Sequence, residues 1–143
     1  MCRLLLLSHA EVSKAFYEAL QLITGYAVDN ISYLTLPYGQ NIEEYQNKIE
    51  AEMLKAKDEG ILILTDLFGG SPFMISSRLY GQHHNDIPIE IVCGMNLPMV
   101  IETACALING EPLDELKKIA CKTGTEGIVD FSARLQKMNG KEN

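Results

Sequence analysis

The sequence predicts an α/β domain with three layers and a mainly parallel β-sheet. Short apolar runs such as Leu4–Leu7 and Ile61–Leu64 have the length of strands that are buried on both faces. Between such runs, apolar residues recur with helical spacing, so strands and helices alternate along the chain. With 143 residues, of which 47% are hydrophobic, the chain is long enough for one domain with a substantial core.

Four strands are predicted, each followed by a helix. The strands are Arg3–Ser8, Ile31–Leu36, Ile61–Leu67 and Ile87–Gly94. The helices run from Val12 to about Gly25, from Asn41 to before Gly60, from Pro72 to about Tyr80, from Pro98 to about Ile108, and from Pro112 to near Gly124. Glycines that follow helices, prolines in first turns and the capping residue Asn41 support these boundaries.

The C-terminal part is predicted to add one short strand and a tail. Gly127–Phe131 is apolar enough for a last strand, whereas residues 134–143 are polar and are expected to fray. We therefore expect a single domain over residues 1–133 and a polar tail over residues 134–143.

Charge and composition exclude several classes of function. The net charge of −7 argues against nonspecific nucleic-acid binding, which depends on a basic surface. No apolar run reaches transmembrane length, and the features of a signal peptide are missing. The four cysteines lack the spacing of a metal site, so free thiols in a reducing cytoplasm are expected and no metal is.

The stretch Thr65–Phe73 predicts an anion-binding turn at the end of the third strand. Gly69 and Gly70 allow backbone N–H groups to converge, and the N-terminus of the next helix adds partial positive charge. Ser71 could contribute a hydroxyl to a phosphoryl group. Each residue also has a structural interpretation, in which Asp66 bonds its own backbone, the glycines form only a tight turn, and Ser71 is only an N-cap.

His9 supplies a candidate nucleophile at the end of the first strand. Imidazole attacks readily near neutral pH, and a carboxylate such as Asp66 would fix its tautomer and stabilise the positive charge that develops. If strands one and three are neighbours, both side chains meet in one cleft, with Phe68, Pro72 and Asn96 as its walls. The structural alternative is that His9 only caps a helix or fills a gap.

Other catalytic motifs are absent from the sequence. No Gly-Lys-Ser/Thr follows the glycine pair, the third glycine of a dinucleotide fingerprint is missing, and Ser71 lies in no GxSxG turn. His83 and His84 are predicted to lie in a solvated polar loop. A hydrolase built on His, Asp and Ser is therefore poorly supported.

Three stretches in this order and spacing resemble one known family: Ser8-His9, Thr65–Phe73 and Gly94–Glu102. With them the chain resembles the enzyme IIA component of the mannose-type (mannose/fructose/sorbose) sugar phosphotransferase system. The resemblance continues through Lys122–Gly127 and covers nearly the whole chain except the polar tail.

The resemblance implies a phosphocarrier. The family's histidine takes a phosphoryl group from the protein HPr and passes it to a IIB component, and this role falls on His9. By the same resemblance Asp66 orients the histidine and Ser71 contacts the phosphoryl group. The implied partners are HPr, a IIB component on a separate chain and, indirectly, membrane IIC and IID components. No cofactor is implied, and the location is cytoplasmic, beside a membrane sugar transporter.

The resemblance also implies an architecture. It gives the sheet order 2-1-3-4, and it makes Gly127–Phe131 an antiparallel strand that is exchanged between the subunits of a homodimer. The chain departs from the family at Ala10, where glycine is usual. We expect Ala10 to have ordinary helical geometry, in which alanine is harmless.

Two other functions fit the same residues. One is a IIA-like phosphoryl donor for the phosphoenolpyruvate-dependent dihydroxyacetone kinase, although the stretches Gly69–Pro72 and Asn96–Met99 weigh against it. The other is a regulatory domain whose cleft senses a phosphorylated metabolite without a covalent step.

Overall fold

A computed structural model describes residues 1–140, and its centre is a four-stranded parallel sheet. The strands are β1 (Arg3–His9), β2 (Ile31–Leu36), β3 (Ile61–Thr65) and β4 (Ile89–Cys93). Their order is β2-β1-β3-β4, which confirms the order implied by the resemblance. β1 and β3 are therefore neighbours, as the predicted cleft requires.

Helices cover both faces of the sheet. They are α1 (Val12–Thr24), α2 (Ile42–Lys55), α3 (Ser71–His83), α4 (Leu97–Ile108), α5 (Leu113–Glu126) and α6 (Phe131–Gly140). Asn41 caps α2 by accepting a hydrogen bond from the Glu44 N–H at 3.0 Å, and Gly25 ends α1 with φ 75°. Both boundaries confirm the sequence prediction.

The core is divided between the two faces by the alternation of the strands. Leu4, Leu6, Leu62 and Leu64 pack on one side, with residues of α1, α4 and α5. On the other side, Leu5, Leu7, Ile61 and Ile63 pack with residues of α2 and α3. All eight side chains are fully buried, which confirms the prediction of central strands covered on both faces.

The third helix is longer than the sequence prediction. We expected α3 to end near Tyr80, but it continues through Gly81 to His83. His83 is therefore not in a loop: its Nε2 lies 3.0 Å from Glu50 Oε2 on α2, while His84 follows at the helix end. This contact ties the end of α3 to α2, and sequence spacing does not reveal it because the two residues are far apart in the chain.

The predicted last strand is wrong for the single chain. Residues 128–130 have no regular structure, and α6 begins at Phe131. Asp130 starts this helix, because its Oδ1 accepts hydrogen bonds from Ala133 N–H at 3.0 Å and from Ser132 Oγ at 3.1 Å. A strand there would need the edge of another strand as its partner, which a second subunit would supply; the exchange itself stays a prediction.

The expected boundary between residues 133 and 134 falls inside α6, and residues 141–143 of the predicted tail lie outside the described part.

Two further properties hold for residues 1–140. No helix combines the length and apolar character that crossing a bilayer requires. No group of three or more His, Cys, Asp or Glu side chains gathers as metal ligands, and Cys2, Cys93, Cys105 and Cys121 are free thiols.

Candidate active site

His9 and Asp66 meet at the carboxyl edge of the sheet. The register pairs Leu7 of β1 with Thr65 of β3, so His9, the last residue of β1, and Asp66, the first residue after β3, lie at the same edge of the sheet. His9 Nδ1 lies 2.9 Å from Asp66 Oδ2, and the backbone N–H of His9 donates to the same oxygen at 3.0 Å. Asp66 therefore holds both the main chain and the ring of His9, and it does not merely bond its own loop.

The pairing fixes the tautomer of the ring. An ionised carboxylate only accepts hydrogen bonds, so Nδ1 carries the proton that points to Asp66, and the neutral ring has its lone pair on Nε2. The His9 side chain is 42% exposed and that of Asp66 is 16% exposed. The nucleophilic nitrogen is thus accessible while its partner is largely shielded from water.

Gly70 lies directly against the imidazole. A Cβ atom at this position would lie 3.0 Å from His9 Nε2 and closer still to Cε1. Only glycine leaves that space free, although the backbone angles of Gly70 (φ −76°, ψ 170°) would suit any residue. The glycine is required here for close approach rather than for an unusual turn, whereas Gly69, with φ 86°, supplies the turn.

The N-terminus of α3 faces this space. Gly70 is its N-cap, so the interpretation of Ser71 as an N-cap is wrong: Ser71 is the first residue of the helix. Its hydroxyl is exposed and has no hydrogen bond within residues 1–140. Backbone N–H groups of a first helical turn have no partner inside the helix, and they attract anions. The Gly70 N–H already donates to Leu67 O at 3.2 Å and Pro72 has no N–H, so the donors that this turn offers next to Gly70 are the N–H and the hydroxyl of Ser71.

Ala10 has a strained backbone, contrary to our expectation. Its φ is 47°, in the left-handed region, rather than the ordinary helical geometry predicted from the sequence. The cause is the connection from β1 to α1: Ala10 N–H donates to Leu36 O at 2.9 Å, so the chain turns before the helix begins at Val12. An alanine in this conformation costs about 1 kcal/mol or more.

Two buried serines fix the strand that carries His9, and sequence reasoning missed them. Ser8 Oγ accepts from the Ser13 N–H at 2.6 Å, and Ser13 Oγ donates to Leu34 O at 2.8 Å. The end of β1, the first turn of α1 and β2 are thereby tied together. The signal in the sequence was the pair of hydroxyl residues that flank the short junction.

The predicted cleft walls fall in three different places. Phe68 is 74% exposed beside the site, where its ring lies 4.8 Å from that of Phe73. Pro72 is buried in the first turn of α3. Asn96 follows β4, and it caps α4 by accepting from Met99 N–H at 3.0 Å while it donates to Gly124 O at 2.9 Å. No hydrogen bond within the described residues joins Asn96 to His9 or Asp66.

Comparisons with known proteins agree with this geometry. The family model described as "PTS system fructose IIA component" matches residues 3–120. The sorbose-specific EIIA component of Lacticaseibacillus casei is 33% identical over 139 residues, which are 97% of this chain and 96% of that protein. The mannose-specific EIIAB component of Escherichia coli K12 is 29% identical over 128 residues, 89% of this chain but only 38% of that protein. The chain thus spans less than half the length of the latter relative.

Solved structures share the whole fold. An EIIA phosphotransferase-system component from Streptococcus agalactiae has a TM-score of 0.85 at 29% identity, over 93% of this chain and 99% of that one. The mannose/sorbose-specific IIA subunit from Enterococcus faecalis has a TM-score of 0.77 at 26% identity, over 90% and 93%. The chain therefore belongs to the mannose-type family of IIA components of the phosphotransferase system, which are phosphoryl carriers.

Proposed function

We propose that His9 accepts a phosphoryl group on Nε2 from phospho-HPr and passes it to a IIB component for sugar uptake. The observation that carries this proposal is the 2.9 Å contact between His9 Nδ1 and Asp66 Oδ2, which leaves Nε2 free and aimed away from the carboxylate. A histidine that served only as a cap or as packing would not need an anionic partner and an accessible second nitrogen.

The transfer step follows from this arrangement. The Nε2 lone pair attacks phosphorus, a P–N bond forms, and the bond to the donor breaks with its electron pair leaving on the donor. The ring, still protonated at Nδ1, becomes positive, and Asp66 balances that charge. In the second transfer a nucleophile of the IIB component attacks the same phosphorus, and the P–N electron pair returns to Nε2.

The start of α3 is suited to the phosphoryl oxygens. The N–H groups of its first turn and the Ser71 hydroxyl donate hydrogen bonds, and the helix dipole favours negative charge there. Because Gly70 has no side chain, the start of α3 approaches His9 Nε2 closely, and a phosphoryl group on this nitrogen would lie beside the helix N-terminus. Gly69, Gly70 and Ser71 therefore form the proposed phosphoryl-binding turn.

The surface around His9 favours a protein donor over a small molecule. Leu67 and Phe68 are 58% and 74% exposed, and Met74 of α3 is 56% exposed. Exposed apolar side chains around an accessible nucleophile are typical of a docking surface. We infer that HPr and the IIB component use this surface in turn, and that the membrane IIC and IID components are reached only through IIB, from the cytoplasmic side.

A phosphorylation assay tests the proposal. Incubation with phosphoenolpyruvate, enzyme I and HPr should give the protein an acid-labile, base-stable phosphate. The His9→Ala variant should take up none, because the nucleophile is gone. His84→Ala is the matched control, since it removes an exposed histidine at the other end of α3 and should label normally. Normal labelling of His9→Ala would contradict the assignment.

The same assay separates the alternative functions. A sensor of phosphorylated metabolites would show no covalent gain of phosphate in intact mass, whereas a carrier gains one. A donor for dihydroxyacetone kinase would pass its phosphate to that kinase and not to a IIB protein. We expect transfer to the IIB protein.

A further inference from the structure

Three buried polar atoms near the end of β3 have no hydrogen-bond partner. They are Tyr45 Oη, Thr65 Oγ1 and Asp66 Oδ1, each within the described residues 1–140. Buried polar atoms in proteins are nearly always paired, and leaving one unpaired costs about 1–3 kcal/mol. Three such atoms of complementary chemistry, two hydroxyls and one carboxylate oxygen, call for an explanation.

Tyr45 lies at the same edge of the sheet as the active site. It is in the first turns of α2, which begins after the carboxyl end of β2, and its side chain is fully buried against the face that includes Leu5 and Leu7. Side chains on a helix lean toward its N-terminus, so the phenol oxygen is directed to the carboxyl edge of the strands. Thr65 belongs to the same face by its alternation with Ile61 and Ile63.

Asp66 has one oxygen that is occupied and one that is not. Oδ2 accepts from both the backbone and the ring of His9, whereas Oδ1 is buried without a donor. A carboxylate bonded through one oxygen can still tilt about its Cβ–Cγ bond, and that movement would lengthen the contact between Oδ2 and the ring. A donor on Oδ1 would prevent this movement and hold the imidazole in place.

Burial and the charge of Asp66 both act on the phenol of Tyr45. Burial raises the pKa of Tyr45, and the negative charge of Asp66 raises this pKa further. The hydroxyl therefore stays protonated at every physiological pH and keeps its hydrogen to donate. A buried tyrosine hydroxyl usually has a hydrogen-bond partner, and Tyr45 Oη has none among the described residues.

We propose that Tyr45 is a positioning residue for phosphoryl transfer, whose O–H group supplies the hydrogen bond that anchors Asp66 Oδ1. No direct hydrogen bond joins Tyr45 Oη to Asp66 Oδ1, so the proposed link runs through one bridging water molecule, for which Thr65 Oγ1 would be a third partner. Tyr45 does not touch the phosphoryl group; it acts through Asp66 on the orientation of His9. This inference rests on the proposed function, and it assigns to that site a residue that the sequence motif does not include.

The test compares Tyr45→Phe with Tyr33→Phe. Tyr33 is a half-buried tyrosine of β2 on the opposite face, where its ring lies 5.1 Å from that of Tyr17 at an interplanar angle of 47°. Its variant therefore loses the same hydroxyl on the face away from Tyr45. The measurements are the rate of transfer from phospho-HPr, the ¹³C chemical shift of the Asp66 carboxyl and the ¹⁵N shifts of the His9 ring. The nitrogen shifts report the tautomer, which a merely structural role of Tyr45 would not change.

Tyr45→Phe should slow transfer about 5- to 10-fold, the equivalent of one hydrogen bond. It should also shift the Asp66 carboxyl signal and populate the second tautomer of His9, whereas Tyr33→Phe should change none of these. Wild-type rates together with unchanged Asp66 and His9 signals in folded Tyr45→Phe would overturn the proposal.

A second pair of variants tests the contact without removing the tyrosine. Asp66→Asn should shift the Tyr45 Cζ signal, because the acceptor loses its charge, and Asp29→Asn in an exposed turn should not. An unmoved Tyr45 signal would also overturn the proposal. If the wild-type protein accepts no phosphate, the proposed function fails, but these chemical shifts still decide whether Tyr45 anchors Asp66.

Discussion

At the scale of single residues, Asp66 holds His9 through two hydrogen bonds that share one carboxylate oxygen. These two contacts decide which ring nitrogen is free to react. The hydrogen bond from the His9 backbone N–H to Asp66 Oδ2 fixes the main chain that carries the ring, and the contact between Nδ1 and the same oxygen leaves Nε2 free. A neutral amide at this position could still accept from the backbone, but it would not balance the charge on a phosphorylated imidazole.

Asp66→Asn should therefore slow phosphoryl transfer by roughly 10²- to 10³-fold and leave the domain folded. Single-turnover transfer from phospho-HPr measures the rate, and circular dichroism checks the fold. Asp86→Asn, a change at an exposed loop residue, is the matched control and should transfer normally. A wild-type rate for Asp66→Asn would show that the ring needs no carboxylate.

The space at Gly70 gives a second prediction at this scale. Gly70→Ala should abolish labelling of His9 or slow it at least about 100-fold, because the methyl group would displace the ring from its position. The backbone angles of Gly70 suit alanine, so the clash with the ring, rather than backbone strain, should be the source of the effect. Gly81→Ala is the control, because no atom lies within 4 Å of its added Cβ, and it should label at the wild-type rate. Rapid labelling of Gly70→Ala would contradict the proposed phosphoryl-binding turn.

At the scale of elements, the connection between β1 and α1 combines strain with tight anchoring. Ser8 and Ser13 tie the strand to the helix, while Ala10 between them has a φ of 47°. The turn that presents His9 is therefore held in an unfavourable conformation by its surroundings.

Ala10→Gly should stabilise the protein by about 0.5–1 kcal/mol, since glycine adopts positive φ without strain. Ala15→Gly, the same substitution inside α1, should destabilise it by about 1 kcal/mol. Urea denaturation measures both free energies of unfolding. Equal destabilisation by the two variants would show that Ala10 is not strained.

The elements also show what sequence could and could not predict. The sheet and its layers were predictable from apolar periodicity, whereas the strand order that brings His9 to Asp66 was implied only by the family resemblance. The strain at Ala10 was not, because it results from a contact with Leu36 that is formed only in the folded chain. Helical spacing places Tyr45 among the apolar residues on the buried side of α2, and the polar role that we propose for it depends on two buried, unpaired atoms, Tyr45 Oη and Asp66 Oδ1. The start of α6 was missed because the apolar residues before it resemble a strand, although Asp130 is a capping residue.

At the scale of the whole molecule, apolar side chains remain exposed at the C-terminal end. Ile128 and Phe131 are 80% and 75% exposed, and Leu135 and Met138 of α6 are 45% and 60% exposed. Phe131, Leu135 and Met138 follow helical spacing on one stripe of α6. A second copy of the chain, as in the homodimer implied by the family, would cover this surface, whether residues 127–131 remain as they are or form the exchanged strand.

We therefore expect a dimer in solution. Light scattering after size-exclusion chromatography should give twice the mass of the chain, and Ile128→Glu combined with Phe131→Glu should shift the protein toward the monomer, because charges cannot be buried there without partners. Leu22→Glu, at an equally exposed position on α1, should remain dimeric. A wild-type protein that is monomeric at high concentration would contradict the expectation.

The central claim is that Nε2 of His9 carries the phosphoryl group while Nδ1 stays bonded to Asp66. The most direct measurement is ³¹P and ¹⁵N NMR of the protein phosphorylated through HPr and labelled with ¹⁵N-histidine. We expect phosphorus to couple to Nε2 of His9 and Nδ1 to remain protonated. Coupling to Nδ1, or a phosphate on any other residue, would contradict it.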